Sequence, residues 1–228
     1  DGIGWEAYGA DMREGQAGMN RPAFTHQLGS EWFPGIPDLH ARLHADQPAR
    51  VLDVAVGEGW SSIALARAYP KARIVGVDLD APSIEAAKRH AAEAGIGSDR
   101  LEFRHADAAG LEGPFDVALV IEAVHDMSDP VAVLAAIRRS LSADGSLVVV
   151  DEKVAERFTA PGDELERFMY GFSITTCLPD GRSRSPSVAT GTVMRPDILR
   201  RYAADAGFSS VEVLAVESDF FRFYRLRP

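Results

Sequence analysis

Val51-Leu52-Asp53-Val54-Ala55-Val56-Gly57-Glu58-Gly59-Trp60-Ser61-Ser62 runs from an apolar stretch of strand length, through a turn holding two glycines, into a helical pattern. Glycines there permit a tight bend and let a ligand come close to the backbone, and the following helix presents unpaired N–H groups at its start. Outward from this turn the alternation continues. Strand-length apolar runs occupy residues 50–55, 73–78, 115–121 and 146–150, with a weaker one at 101–104. Runs that are apolar on both faces belong inside a parallel sheet covered by helices.

The intervening segments carry helix punctuation. Asp80-Ala81-Pro82 opens one helix, which Gly95 closes; Asp129-Pro130 opens a second; Arg195-Pro196-Asp197 opens a third, ending at Gly207. Strand and helix in turn, with short connections, predict right-handed crossovers and a doubly wound, Rossmann-like, mostly parallel α/β sheet. The last two runs, 211–216 and 221–226, are too close for a crossover helix and predict an antiparallel hairpin. Residues 1–47 precede the first strand as a helical amino-terminal cap. Residues 151–194 form an insertion, in which Leu165, Phe168, Met169 and Phe172 recur at helical spacing after Asp163 and Glu164. Both additions are expected to lie over the carboxyl ends of the strands, the insertion as a lid.

Composition narrows the function classes. The 228 residues carry 34 acidic against 24 basic side chains, a net charge of −10, which opposes a broad nucleic-acid or anionic-membrane footprint. Gly181-Arg182-Ser183-Arg184-Ser185 is the best local basic candidate and reads as a solvated loop. A single cysteine, Cys177, excludes a disulfide framework and cysteine-rich metal sites, and reads as packing or pocket wall. His40 and His44 stand four apart, without a third ligand nearby in sequence; they read as surface histidines, and no metal is expected. Neither a bilayer-length apolar run nor a secretory leader is visible, so a cytoplasmic location is expected. A chain rich in Ala and Arg and poor in Lys points to a GC-rich bacterial genome. The first residue is Asp1 and not Met, consistent with a preceding piece.

An acid completes the nucleotide signal. Asp78 ends the second strand 19 positions beyond Gly59, where a carboxylate accepts hydrogen bonds from ribose hydroxyls. Two ligand types fit this pattern, a dinucleotide and S-adenosylmethionine. The dinucleotide pattern asks for Gly or Ala where Ser62 stands, and Glu58 is a poor neighbour for a pyrophosphate. S-adenosylmethionine carries a sulfonium and an ammonium and no phosphate, so acids at 53 and 58 suit it better.

The motifs, in order, resemble those of class I S-adenosylmethionine-dependent methyltransferases. Residues 51–59 resemble the glycine-rich first motif and Gly76-Val77-Asp78-Leu79 the second. His105-Ala106-Asp107-Ala108 resembles the adenine-contacting acid, and residues 115–126 the fourth motif. Trp60-Ser61-Ser62-Ile63-Ala64, Glu122-Ala123-Val124-His125-Asp126-Met127 and residues 189–196 are similar to a bacterial subgroup that often carries a winged-helix-like domain ahead of the catalytic one. The resemblance implies a methyltransferase domain over 48–228 with a lid at about 151–194, and a seven-stranded sheet whose sixth and seventh strands are the terminal hairpin. It also implies contacts to S-adenosylmethionine, or its product S-adenosylhomocysteine, from Asp53, Ala55, Gly57, Gly59, Asp78, Leu79, Asp107, Ala108 and Glu122. Tyr8, Gln16 and Asn20 would close over the cofactor from the cap. One departure is Ala55, where the family usually has Gly.

Methyl transfer is an in-line displacement, in which alignment and exclusion of water matter most and a base helps only if the acceptor must lose a proton. His125, just past the fourth strand, is the candidate base, with an unperturbed pKa near 6.5; the alternative is a helix-start histidine bonded to backbone. Glu122 is expected to bound the methionyl end or the acceptor. Glu152, ending the fifth strand, would anchor an acceptor's hydroxyl or amine, or else pair with an arginine. Asp107 has a second reading as cap of the turn at Ala108-Ala109. Phe24, Trp32, Phe33, Phe168, Met169, Tyr170 and Phe172 are candidate walls of an acceptor pocket. The expected acceptor is a small molecule taking the methyl on O, N or C, with no nucleic acid or membrane partner for this part and a homodimer left open. Two other readings stay in view: a non-enzymatic S-adenosylmethionine-binding module of a larger DNA-binding protein, and a dinucleotide oxidoreductase.

Overall fold

A computed structural model describes residues 2–228, with Ala109 described by its backbone alone. Seven strands form one sheet in the order β3-β2-β1-β4-β5-β7-β6. They are β1 (Arg50–Val54), β2 (Arg73–Asp78), β3 (Leu101–His105), β4 (Phe115–Ile121), β5 (Leu141–Glu152), β6 (Ser210–Val213) and β7 (Phe221–Arg227). The first five are parallel; β7 runs antiparallel to both β5 and β6. The strand order reverses between β1 and β4, the place where open α/β sheets leave a crevice for ligands. Both strands point their carboxyl ends into that crevice.

Helices α1 (Gly9–Ala23), α2 (Pro37–His44), α3 (Trp60–Ala68), α4 (Ala81–Glu93), α5 (Pro130–Ser140), α6 (Glu164–Phe172), the single turn α7 (Leu178–Gly181) and α8 (Pro196–Asp205) surround the sheet. Local chemistry fixes their starts. Asp80, Asp129 and Asp163 each accept a backbone N–H of the first turn, at 3.0, 3.0 and 2.7 Å, so three otherwise unpaired donors are satisfied. Gly95 and Gly207, at φ +70° and +86°, end α4 and α8 as the sequence predicts.

Two strands differ from expectation. β5 starts at Leu141, directly after α5, and extends to Glu152, two residues beyond Val150. β6 stops at Val213, because Leu214 and Val216 turn inward to pack on the core. The resulting connection of residues 214–220 is still too short for a crossover helix, so the hairpin stands. No helix among the described residues is long and apolar enough to cross a membrane.

Two apolar layers sandwich the sheet. One, around Leu28, Trp32, Ile63, Val117 and Val148, lies under the amino-terminal segment; the other, around Leu52, Phe115, Ile137, Val149 and Leu199, lies under α5 and α8. Trp32 and Phe33 therefore belong to the core, which corrects their reading as pocket walls. The Trp32 indole is 2% exposed and meets Phe24, Phe221 and Phe223 edge-on at 6.2, 5.5 and 5.1 Å. It fastens the amino-terminal segment to the last strand. His40 and His44 also pack, edge-on to each other and to Tyr69, with His40 Nδ1 2.8 Å from the Tyr69 hydroxyl. His40 is half-buried and bonded and so is not a free surface histidine, whereas His44 is exposed as expected. Removing the indole leaves a large cavity between the amino-terminal segment and the sheet, so Trp32→Ala should lower the unfolding free energy by about 3–5 kcal/mol, read as a fall in the urea midpoint.

Candidate functional site

The crevice above β1 and β4 is a cavity of about 790 Å³, walled by the carboxyl ends of β1, β2 and β4, by α1, and by the insertion. Its floor is the turn after β1. Asp53 is fully buried, and its Oδ2 accepts from the Ser61 and Ser62 hydroxyls, both at 2.7 Å. Burial pushes its carboxyl up to about 6, against the pull of the two hydroxyls. Asp53 therefore fastens the strand to the first turn of α3, and Ser62 is there to hold it.

Ala55 then turns into the left-handed region at φ +59°, with its N–H and that of Val56 both donating to Val77 O, at 2.8 and 3.2 Å. Here lies the physical reason a glycine suits this position: an L-residue at that φ is strained. Gly59, at φ +82°, has no room for a side chain, since an added Cβ would stand 2.5 Å from Phe103 Cζ and 2.8 Å from Ala87 Cβ. Gly57, at φ +52°, faces open space instead.

Asp78 closes this end. Its Oδ2 accepts from Gly57 N and its Oδ1 from Asp80 N, both at 2.8 Å, leaving further lone pairs toward the cavity. Burial raises its pKa, while these N–H groups oppose the rise. Leu79, Asp107 and Ala108 continue the same wall. Glu58 lines the cavity too, with its carboxylate 3.9 Å from His90 Nδ1.

The amino-terminal helix forms the opposite wall. Arg13 donates twice to Asp80, at 2.7 and 2.8 Å, and Gln16 and Asn20 donate to Glu122 Oε2, Gln16 at 3.4 Å. Gln16 and Asn20 thus line the cavity. Tyr8 does not line the cavity: its hydroxyl donates to Thr175 O at 3.0 Å, so it ties the amino terminus to the insertion and not to the ligand space. Phe24, Phe168, Met169 and Phe172 do line it, whereas Tyr170 points away, its hydroxyl accepting from Arg195 at 3.3 Å.

At the other end sits a buried charge cluster. His125 lies on the turn Val124–Asp126 after β4, 2% exposed. Its Nδ1–H donates to Asp151 Oδ1 at 2.7 Å; Glu152 Oε2 lies 3.1 Å from the same nitrogen, and Asp126 Oδ1 3.2 Å from Nε2. The histidine is bonded to carboxylates and not to backbone, and Glu152 pairs with this imidazole and not with an arginine. Burial works against the charged ring, yet Asp126, Asp151 and Glu152 prevail and hold its pKa well above the ordinary 6.5. An unperturbed base is thereby corrected to a ring that keeps its proton. Burial, then the nearby Glu152, pushes Glu122 up to about 8, and burial also raises Glu152. Cys177 forms part of the wall beside His125, its thiol pushed up to about 11 by burial.

The sequence reading missed Arg13, Asp80, Asp126, Asp151 and Asp180. Asp151 was legible in principle: it follows an apolar run immediately before Glu152, and carrying the strand two residues further places it at the cavity.

The cavity's chemistry can be tested against the ligand types left open by the sequence. Carboxylates at 53, 58, 78 and 122 line it, and its arginines are Arg13, paired with Asp80, and Arg184. This donor set suits a ribose and a cationic sulfur centre and is unfavourable to a pyrophosphate. The open space over Gly57 suits close backbone approach by a ligand. In comparison with known proteins, the profile of the family described as "Methyltransferase domain" matches residues 45–178. The chain belongs to this methyltransferase family. The cofactor of the class I family is S-adenosylmethionine, and the residues just described fit it.

A curated relative, the ubiquinone biosynthesis O-methyltransferase of Cereibacter sphaeroides, is 35% identical over 124 residues, covering 54% of this chain and 48% of that protein. The chain thus spans about half the length of this relative. Among solved structures, PigF with SAH superposes with a TM-score of 0.71 at 18% identity, covering 96% of this chain and 58% of that one. Mitomycin 7-O-methyltransferase MmcR gives 0.68 at 17% identity, covering 95% and 56%. At such identity the likeness concerns the fold.

Two outcomes follow from this geometry. Ala55→Gly releases the strained φ and should raise the unfolding free energy by about 1 kcal/mol in urea denaturation. Glu122 has a folded pKa of about 8, above its unfolded value near 4.5. Its contribution is therefore full below about pH 4.5 and is lost as pH rises toward 8. Glu122→Gln should accordingly gain stability relative to the parent between pH 5 and pH 8, by more than about 1.4 kcal/mol, the equivalent of one pKa unit.

Proposed function

We propose that this protein transfers a methyl group from S-adenosylmethionine to an oxygen of a small hydroxylated acceptor. The observation that carries this reading is the placement of His125, braced by Asp151, in the same cavity as the β1 turn and Asp78. Bound S-adenosylmethionine would supply a sulfonium methyl, already activated toward a nucleophile. In this reading Asp78 holds the ribose hydroxyls, Asp107 and Ala108 face the adenine, the backbone at Ala55 and Gly57 faces the methionyl part, and Glu122 bounds its charged end.

The acceptor lies between His125 and the apolar surface of Phe168, Met169 and Phe172. Asp151 holds Nδ1–H, so that Nε2 is the ring atom turned toward Asp126. A ring that keeps its proton is a poor base, so an acceptor hydroxyl gives its proton to Asp126, beside Nε2. The imidazolium then stabilises the negative charge growing on the oxygen, an electrostatic role that gains strength in a buried site. The insertion and α1 exclude water. Oxygen is favoured over N or C because the cluster pairs a cation with proton-accepting carboxylates, and because the relatives above carry O-methyltransferase names. A homodimer and a cytoplasmic location belong to the same proposal.

Calorimetry with S-adenosylhomocysteine tests the cofactor half. The parent should bind, and Asp78→Ala should weaken binding by about 10–100-fold, the value of hydrogen bonds to a charged group. For the acceptor half, transfer of labelled methyl is measured across hydroxyaryl compounds. His125→Asn should lower kcat by about 10²–10⁴. Absence of binding heat in the parent protein would overturn the reading.

A further inference from the structure

The acceptor end of the cavity carries more negative charge than its own side chains balance. Asp126, Glu152 and Asp180 face it, with Asp151 directly behind His125. These groups sense one another: Asp126 acts on both Asp180 and His125, and Glu152 acts on Glu122. One imidazole serves the whole group. The other cations on the cavity wall are Arg13, spent on Asp80, and Arg184, an exposed side chain near Asp180.

Two buried oxygens make this imbalance pointed. Glu152 Oε2 and Asp151 Oδ2 have no hydrogen-bond partner, and the two side chains are 8% and 2% exposed. Glu152 Oε2 lies 3.1 Å from His125 Nδ1, yet Asp151 takes the aligned N–H. Glu152 itself lines the cavity. A buried carboxylate oxygen without a donor is costly, and such groups are ordinarily paired. The cofactor proposed above brings a sulfonium and an ammonium, which in that reading are taken by Glu122 and the β1 turn.

The missing donor is therefore expected from the acceptor. We propose that the acceptor is a cation: an apolar, hydroxylated molecule bearing a protonated amine, which Glu152 receives while Phe168, Met169 and Phe172 cover its body. This inference rests on the methyltransferase reading and deepens it by naming the class of acceptor. It accounts for a pocket wall in which the apolar side chains of α6 line the same space as the acidic groups that follow β4 and end β5. A neutral hydroxyaryl compound would leave Glu152 Oε2 unpaired, and an anionic one would be repelled.

Three probes of matched size separate these outcomes: tyramine, tyrosol and 3-(4-hydroxyphenyl)propionate, which differ in the charge at one end. Each is titrated calorimetrically into protein saturated with S-adenosylhomocysteine at pH 7. Tyramine should bind at least tenfold tighter than tyrosol, and the propionate weaker than either. Glu152→Gln should bring tyramine to within threefold of tyrosol. Equal affinities, a reversed ranking, no binding of any of the three, or a preference that survives Glu152→Gln would overturn the proposal. A titration of S-adenosylhomocysteine alone comes first on every variant, which exposes a failure to fold. If the parent does not bind it, the cofactor reading falls and this inference with it; if it binds and tyramine shows no advantage, this inference falls alone.

Discussion

The turn out of β1 is the constraint on which the rest of the cavity depends. Asp53 must be buried to reach both Ser61 and Ser62, and that reach brings the start of α3 directly over the strand end. Ala55 then has to take a left-handed conformation so that its N–H and that of Val56 can both meet Val77 O. Gly57 donates to Asp78 only because the turn has been set by these bonds. Strain at one residue is thus held by several hydrogen bonds around it, as is common where a backbone is shaped for a ligand.

A second constraint operates at the opposite end and is electrostatic. Glu122, Asp126, Asp151, Glu152 and one imidazole stand together in a largely buried volume. Burial together with these neighbours raises Glu122 and Glu152, while His125 is raised against burial by its carboxylate neighbours. An apolar cluster of the same volume would be simpler to fold, since buried charges seldom add stability. Their presence is better understood through chemistry than through stability. The two constraints meet at Glu122, itself at φ +51°, which faces α1 through Gln16 and Asn20 and feels the charge of Glu152.

Most of the sheet was legible in the sequence because its strands are apolar on both faces and are separated by well-marked helix starts, such as Asp80 and Asp129. The β1 turn and Asp78 were legible for a similar reason, as glycines and an acid at a fixed separation report backbone geometry. The acceptor end was not. Asp151 and Asp180 act through positions 26 and more residues from His125, and nothing in local periodicity links them. Tyr8 failed for the complementary reason: an aromatic residue in a cap has many surfaces to meet, and the insertion, not the ligand space, was the nearer one. Periodicity reveals which face of an element is buried; it is silent about which distant loop arrives there.

The seating of α1 has a consequence for how the protein assembles. Its anchors are Asp80 and Glu122, which come 67 and 102–106 residues later in the chain. Neither anchor is in place until β2 and β4 have joined β1. During synthesis the helix is made first and docked late, so the cavity begins as an open trough and gains its wall only after the sheet that carries it.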